Sequence, residues 1–447
     1  MFEPNPINEG AFTFFLAGFL YAPYEYTGYK DEVLASKSSA YLTSSLNESP
    51  IYDVKGPDAT KFLSSICVNN FANAKVGGIR HGIICNEKGQ IMTDGVIMKI
   101  ADDTYRTYWL LPVIDYLLQK SGMDVEGVNL TGQEFFFQIA GPKSLEILEK
   151  AADSDLHDIR FAHHRMAKIA GVDVRILRLG MAGTLAYEVH GDMSEANKVF
   201  GHIWEAGQEF GIKKLGRVAY VMNHTEAGFP NINMHYPLPW YEDADFAAYL
   251  NERPGAGFFN FNRKLIGSVG DDVESRFKTP YDVGWGKLVK FNHDFIGKEA
   301  LLEISKNPKT TIVTLEWNPD DIADIFASQF KGKDVTPYES ISERPVDVYF
   351  NLSLSNGFIY HADKVMADGK QIGTSTGRLN SVYYQRMISL GFIEKEYAVL
   401  GKELTLIWGT PGTPQKEVRV TVARFPYIDL ENNKAVDVES IPSLAEK

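Results

Sequence analysis

Cysteine is almost missing: Cys67 and Cys85 are the only two in 447 residues. That is too few for a disulfide framework and predicts a reducing, cytoplasmic compartment. Positive charge is also scarce. Lys and Arg number 45 against 58 Asp and Glu, a formal net charge of -13, which repels phosphate backbones and anionic lipid, so neither nucleic acid nor membrane is expected as a partner. Residues 11–23 carry Phe12, Phe14, Phe15, Leu16, Phe19 and Leu20. They follow no basic segment and fall short of the ~18–20 apolar residues of a membrane span, so no signal peptide or transmembrane helix is expected.

Several signature loops are missing as well. There is no Gly-x-x-x-x-Gly-Lys-Ser/Thr, and Gly284-Trp285-Gly286-Lys287 is too short a cluster to cradle phosphates. Gly180 and Gly183 lie between predicted strands and not ahead of a helix, against a dinucleotide fingerprint. No Gly-x-Ser-x-Gly elbow supports a hydrolase. The pair His163-His164 points to two sides of one element with no His-Glu-x-x-His nearby, so no metal site is expected.

What remains is material for folding: 44% hydrophobic residues, enough for two or three cores of ~100–200 residues each. Around residues 51–70 a short apolar segment meets Gly56-Pro57-Asp58, after which Ala59, Phe62, Leu63 and Ile66 recur at helical spacing. This predicts strand, Gly-Pro turn and helix. The same unit returns at residues 135–151 through Phe135, Phe136, Phe137, Ile139, Gly141-Pro142, Leu145 and Leu148, suggesting interleaved α/β halves. Between them, residues 82–100 read as a hairpin turning at Asn86-Glu87-Lys88-Gly89. Strands are expected at 172–176 and 186–189 and a helix over 194–207, so the first ~300 residues are α+β.

Beyond about residue 340 the texture becomes strands and tight turns: 346–354, 358–361, 364–366, 404–408, and the alternation Val418, Val420, Val422. This predicts a small all-β domain. Pro308, Pro319, Pro337 and Pro345 mark a junction. The expected divisions are 1–305, two interleaved α/β subdomains; 306–344, the junction; and 345–447, a C-terminal β-barrel.

Read in order, Gly56-Pro57-Asp58, Val68-Asn69-Asn70, Asn86-x-x-Gly89-x-Ile91-x-x-Asp94, Gly141-Pro142, Tyr187-Glu188, Leu215-Gly216-Arg217, Glu226-Ala227-Gly228 and Phe295-Ile296-Gly297-Lys298-Glu299-Ala300-Leu301 resemble the glycine-cleavage T-protein superfamily of folate-dependent transferases. Glu25-Tyr26-Thr27-Gly28, Pro237-Leu238-Pro239-Trp240-Tyr241, and Thr279-Pro280-Tyr281 followed by Val289-Lys290-Phe291 are most similar to its aryl O-demethylase branch, the vanillate and syringate demethylases. The resemblance implies a three-domain, clover-like fold around a folate channel, with tetrahydrofolate as cofactor and a small methoxylated aromatic substrate. Oligomeric state is left open.

By the same resemblance, Glu188 is expected to pair with the guanidine-like edge of the pterin, a shape that suits a carboxylate accepting two parallel N–H bonds. Arg217 and Asp94 are expected to contact the folate, and Tyr24, Tyr26 and Tyr29 to line the substrate side. The chain departs from the T-protein pattern at Thr93, where an aspartate is usual, which weakens an aminomethyl chemistry. It departs again at Trp109-Leu110-Leu111-Pro112, where a folate-contacting Asn would stand.

Methyl transfer from an ether oxygen to a pterin nitrogen is an in-line displacement that depends on positioning and on a proton donor for the leaving oxygen. Tyr241 is the first choice as donor and Tyr236 the alternative. Arg106 and His224 are candidates for a substrate carboxylate, and Lys287, Lys290 and Lys298 for the folate's glutamate tail. Three other readings are open: demethylation of a sulfonium or quaternary ammonium compound such as dimethylsulfoniopropionate, which needs a cation cage and no acid; glycine-cleavage-type aminomethyl transfer; and a non-catalytic folate-binding protein.

Overall fold

The structure, a computed structural model, describes residues 5–11, 13–17, 20–47, 49–232, 234–252, 263–345 and 359–443, with backbone only for 13–17 and 20–22. The two Gly-Pro units each start a strand–turn–helix. Ile51–Lys55 leads to the helix Ala59–Ile66, and Glu134–Ala140 to the helix Ser144–Ala152. Their turn glycines share an unusual backbone, with φ of +129° at Gly56 and +136° at Gly141. A Cβ would stand 2.7 Å from the Asp124 carbonyl oxygen at the first and 2.3 Å from that of Ser39 at the second, so only glycine fits either position.

Each unit belongs to its own sheet. The first sheet has five strands in the order Ile79–Cys85, Ile91–Ala101, Thr104–Tyr108, Ile51–Lys55, Glu126–Asn129. The second has six, in the order His164–Ile169, Val172–Leu177, Ala186–Asp192, Glu134–Ala140, Tyr41–Thr43, Lys213–Lys214. Tyr41–Thr43 precedes every strand of the first sheet and pairs into the second, so the chain crosses between the two sheets. A bridge between Gly78 and His163, with Ile79 N–H donating to the Ala162 carbonyl at 2.9 Å, sews the two sheets edge to edge.

The C-terminal region is a closed six-stranded barrel: Thr310–Trp317, Arg386–Glu394, Lys370–Ser381, Asp363–Ala367, Glu403–Trp408 and Lys416–Ala423, the last pairing back to the first. Its first strand lies within residues 306–344, the segment expected to be a junction. The prolines there bound structure and do not interrupt it: Pro308 precedes the alternating run TTIVTLEW, and Pro319 opens the helix Pro319–Ser328, capped by the Asn318 side chain. The strand expected over 346–354 lies outside the described residues. No helix among the described residues is long and apolar enough to cross a membrane.

Candidate active site

A mostly apolar cavity of about 400 Å³ opens where the two sheets meet the helix Arg217–Glu226. Arg217, Tyr220, Val221 and His224 line it, the i, i+3, i+4, i+7 stripe of one helical face. The helix start is fixed by Glu32. This buried carboxylate accepts from the Gly216 N–H at 2.7 Å and from the N–H groups of Tyr26, Thr27 and Gly28 at 2.7, 3.0 and 3.1 Å.

Glu188, Arg217 and Asp94, assigned to folate from separate stretches of sequence, all line this one cavity. Glu188 comes from the strand Ala186–Asp192 and is 3% exposed. Its Oε1 accepts a long 3.3 Å bond from the Gln138 amide, while Oε2 has no hydrogen-bond partner. His190 Nε2 is 3.5 Å from Oε2 without bonding to it. Burial pushes the Glu188 carboxyl up to about 8, because ionisation inside an apolar wall has little solvation. A buried carboxylate with a spare acceptor is costly unless a ligand completes it, and two N–H donors held side by side would do so.

Asp94 faces the cavity between two partners. His81 Nε2 lies 2.7 Å from Oδ2, and the Tyr236 hydroxyl donates to Oδ1 at 3.4 Å. His81 also lines the cavity and meets the Trp285 ring edge-on at 4.6 Å. Tyr236 is fully buried behind the wall and reaches the cavity through Asp94. Burial first, and then the Asp94 charge, hold its hydroxyl protonated. His81 was missed in the sequence because its pairing with Asp94 depends on an irregularity of the hairpin. Ile84 opposes Thr93 but Cys85 opposes Ile91, leaving Met92 as an extra residue. The Trp240 indole N–H donates to the Met92 carbonyl at 2.7 Å and so holds this bulge.

The two departures from the T-protein pattern meet here. Thr93 Oγ1 donates to the Trp109 carbonyl at 2.7 Å, and Trp109 sits in the left-handed region at φ 67° with its side chain on the cavity. The threonine thus holds an aromatic wall in a backbone state that a tryptophan rarely adopts.

Other candidates lie elsewhere. Tyr241 is half-buried beside Arg263, whose guanidinium carbon is 5.2 Å from its ring centroid, and does not line the cavity. Tyr26 donates to the Ile7 carbonyl at 2.6 Å, Tyr29 lies under Arg344, and Tyr24 packs beside the core. None of the three is a lining residue; they brace the segment that holds Glu32 and Gly216. Arg106 is engaged by Asp53 in a two-pronged pair at 2.7 and 2.8 Å and by Glu134, which leaves it no carboxylate to recruit. His224 does line the cavity, but its Nδ1 contacts the Phe229 carbonyl at 2.9 Å and burial lowers it to about 4, so it is neutral near pH 7. Lys287, Lys290 and Lys298 are not lining residues of the cavity; Lys290 Nζ donates to the Lys287 carbonyl and Lys298 pairs with Asp294.

Residues 7–236 match the family model described as the GCVT N-terminal domain. The chain is 61% identical over 444 residues to a sesamin methylene transferase of Sinomonas sp. (strain No.22), covering 99% of this chain and 98% of that protein. It is 29% identical over 428 residues to a syringate O-demethylase of Sphingobium sp. (strain NBRC 103272 / SYK-6), covering 91% and 89%. Its fold is similar to the glycine cleavage system aminomethyltransferase T of Bartonella henselae, with a TM-score of 0.68 at 17% identity over 95% and 96% of the two chains.

Proposed function

The chain belongs to the GCVT family, the glycine-cleavage T-protein superfamily, and from that premise we propose that it is a tetrahydrofolate-dependent O-demethylase. It transfers the methyl group of a methoxylated aromatic compound to tetrahydrofolate, giving a phenol and 5-methyltetrahydrofolate. The observation that carries this reading is the pairing, across one apolar cavity, of the unsatisfied Glu188 carboxyl with the His81–Asp94–Tyr236 array. One end suits a pterin edge and the other a departing oxygen.

Tetrahydrofolate supplies the nitrogen nucleophile that accepts the carbon. Glu188 binds the pterin edge and Arg217 the neighbouring polar atoms. The apolar walls, with Trp109 and Phe229, exclude water and stack on the arene, so that oxygen, carbon and nitrogen approach a line. The leaving phenolate takes a proton from His81, which Asp94 orients and Tyr236 braces from behind. Support for a phenolic leaving group over an onium donor comes from the presence of this acid array, which a sulfonium or quaternary ammonium substrate would not use.

A second reading concerns the carbon transferred. The relative at 61% identity is a methylene transferase, which favours a methylenedioxy arene as donor. Both bonds between oxygen and the methylene carbon would then break, two C–N bonds would form, and the two protons displaced from nitrogen would end on the catechol oxygens, with no oxidant required. Incubation with tetrahydrofolate and a panel of methoxybenzoates, sesamin, dimethylsulfoniopropionate and glycine betaine tests both readings by chromatography. A phenol with 5-methyltetrahydrofolate supports the first, and a catechol with 5,10-methylenetetrahydrofolate the second. Product from an onium compound alone, or from none of the donors, overturns the proposal.

A further inference from the structure

A second, much smaller pocket of about 10 Å³ lies where the barrel meets the rest of the chain. Thr374 and Thr376 of the barrel strand Lys370–Ser381 line it together with Arg276, Lys278, Tyr360 and Met234. Met234 also lines the active cavity, so the two sites share a wall. The volume admits one water-sized guest.

The lining holds two cations and no carboxylate. Arg276 is 2% exposed and Lys278 6%. Among the described residues both spend their hydrogen bonds on backbone carbonyls. Arg276 donates to those of Tyr360, Gly270 and Ile266 at 2.8, 2.6 and 3.2 Å, and Lys278 to those of Ser275 and Phe277 at 2.8 and 3.4 Å. Asp363 is the acid felt most by Arg276 and Asp282 the one felt most by Lys278, yet each is engaged elsewhere. Asp363 accepts from the Ser268 N–H at 3.1 Å and lies 2.9 Å from His361 Nε2, and Asp282 accepts from the Thr279 N–H and hydroxyl, both at 2.8 Å. Burial lowers Lys278 to about 8 and Arg276 to about 10, so both keep their charge at pH 7.

Three polar groups on these residues are left over. Arg276 Nε and Thr376 Oγ1 are buried with no hydrogen-bond partner, and the third N–H of Lys278 is not taken by a carbonyl. Guanidinium and ammonium N–H groups can only donate, and a hydroxyl can turn to do the same. A water molecule would accept from them but leave two buried charges uncompensated, which is costly. We infer that this pocket binds one monatomic anion of the halide class, chloride in ordinary saline, and that the ion fastens the barrel to the wall of the active cavity. Carboxylate, sulfate and phosphate exceed the volume. The inference does not depend on the folate reading.

The test uses the full chain. Crystals grown in sodium bromide should show an anomalous-scattering peak in this pocket. In solution, replacing sodium gluconate by sodium chloride at constant ionic strength should raise the thermal midpoint by about 2–3 °C and then saturate. Lys278→Met, which removes the buried charge and keeps most of the bulk, should abolish this response. Thr376→Val has nearly the same shape and should raise the half-saturating chloride concentration about tenfold, the worth of one hydrogen bond to an ion. Should Lys278→Met fail to fold, Thr376→Val and the bromide peak decide the matter. Absence of the bromide peak, equal midpoints in the two salts, or a chloride response that the variants keep unchanged overturns the assignment and leaves water as the occupant.

Discussion

At the scale of single residues, the site is governed by two carboxyl groups with different surroundings. Glu188 is raised from its ordinary 4.5 to about 8, so in the unliganded protein it is neutral at pH 7. A raised pKa stabilises the fold fully below about 4.5, and that contribution is lost as pH rises towards about 8. Glu188→Gln should therefore flatten this decline and leave the unliganded variant more stable than wild type at the alkaline end, as read by thermal unfolding across pH. The same substitution should weaken folate binding by roughly 10- to 100-fold, the worth of a charge-assisted two-pronged bond. Binding near pH 7 should release a proton, seen as buffer-dependent heat in calorimetry and lost in the variant. A wild type whose binding heat is the same in every buffer would sink this assignment.

Asp94 has a different task, because His81 and Tyr236 hold its two oxygens. His81→Gln should lower kcat about 100-fold, within the range of general acid catalysis, with folate affinity retained. Tyr241→Phe should leave turnover unchanged, since that ring packs on Arg263 away from the cavity. The reverse pattern in a steady-state comparison would return the acid role to Tyr241. Tyrosine was expected in this role from a segment of sequence, and Tyr236 does stand in the array. The cavity-facing partner is a histidine that nothing in the linear pattern marked.

At the scale of elements, the hairpin bulge decides which side chains face the cavity. Without the extra residue Met92, the pairing that starts at Cys85 and Ile91 would set Asp94 opposite Gly82, on the face away from His81. The bulge shifts the register so that Asp94 opposes Ile83 and shares a face with His81. Trp240→Phe removes the bond to the Met92 carbonyl together with part of the indole's packing. It should cost about 1–3 kcal/mol in stability and lower kcat along with it, measured by chemical denaturation and turnover on the same preparation. A loss of stability with kcat untouched would mean that the bulge holds its register unaided.

Periodicity made the neighbouring elements readable. The two Gly-Pro units, the helix expected over 194–207 and the hairpin itself follow from apolar spacing and turn residues. The bulge does not, because one extra residue in a strand leaves no mark on composition. The first barrel strand was hidden for a related reason. Prolines on either side of Thr310–Trp317 look like a linker until the strand is seen to close the barrel against Lys416–Ala423.

At the scale of the whole molecule, one buried ion pair ties the cavity helix to both ends of the chain. Lys37 Nζ and Glu226 Oε2 are 2.6 Å apart with side chains only 1% and 0% exposed, and Glu226 also accepts from Ser381 at 2.7 Å on the barrel. Removing one partner strands a charge in the interior. Lys37→Met should destabilise the protein by about 3–5 kcal/mol, and Lys37→Met/Glu226→Leu should recover much of that loss in a double-mutant cycle by denaturant unfolding. Equal losses in the single and double variants would show that packing, not the stranded charge, is responsible. The C-terminal segment makes a second tie, with Arg178 donating to the carbonyls of Asn433 and Val436 at 2.8 and 2.7 Å across the second sheet.

The sequence by itself determined the elements and their class. Apolar spacing, Gly-Pro turns and the change to alternating strands in the C-terminal region set an α+β body with a β-barrel, and the ordered motifs identified the family. These are properties of neighbouring residues, and period and turn chemistry record them directly. Only the tertiary structure decided which distant side chains share the cavity. Helix packing set Arg217 on the same cavity as Glu188, a bulge turned Asp94 towards His81, and the seam between the sheets gathered Lys75, Arg80 and Lys99 into one groove. Contacts between residues far apart in the chain depend on register and on how elements pack, and a linear pattern carries neither.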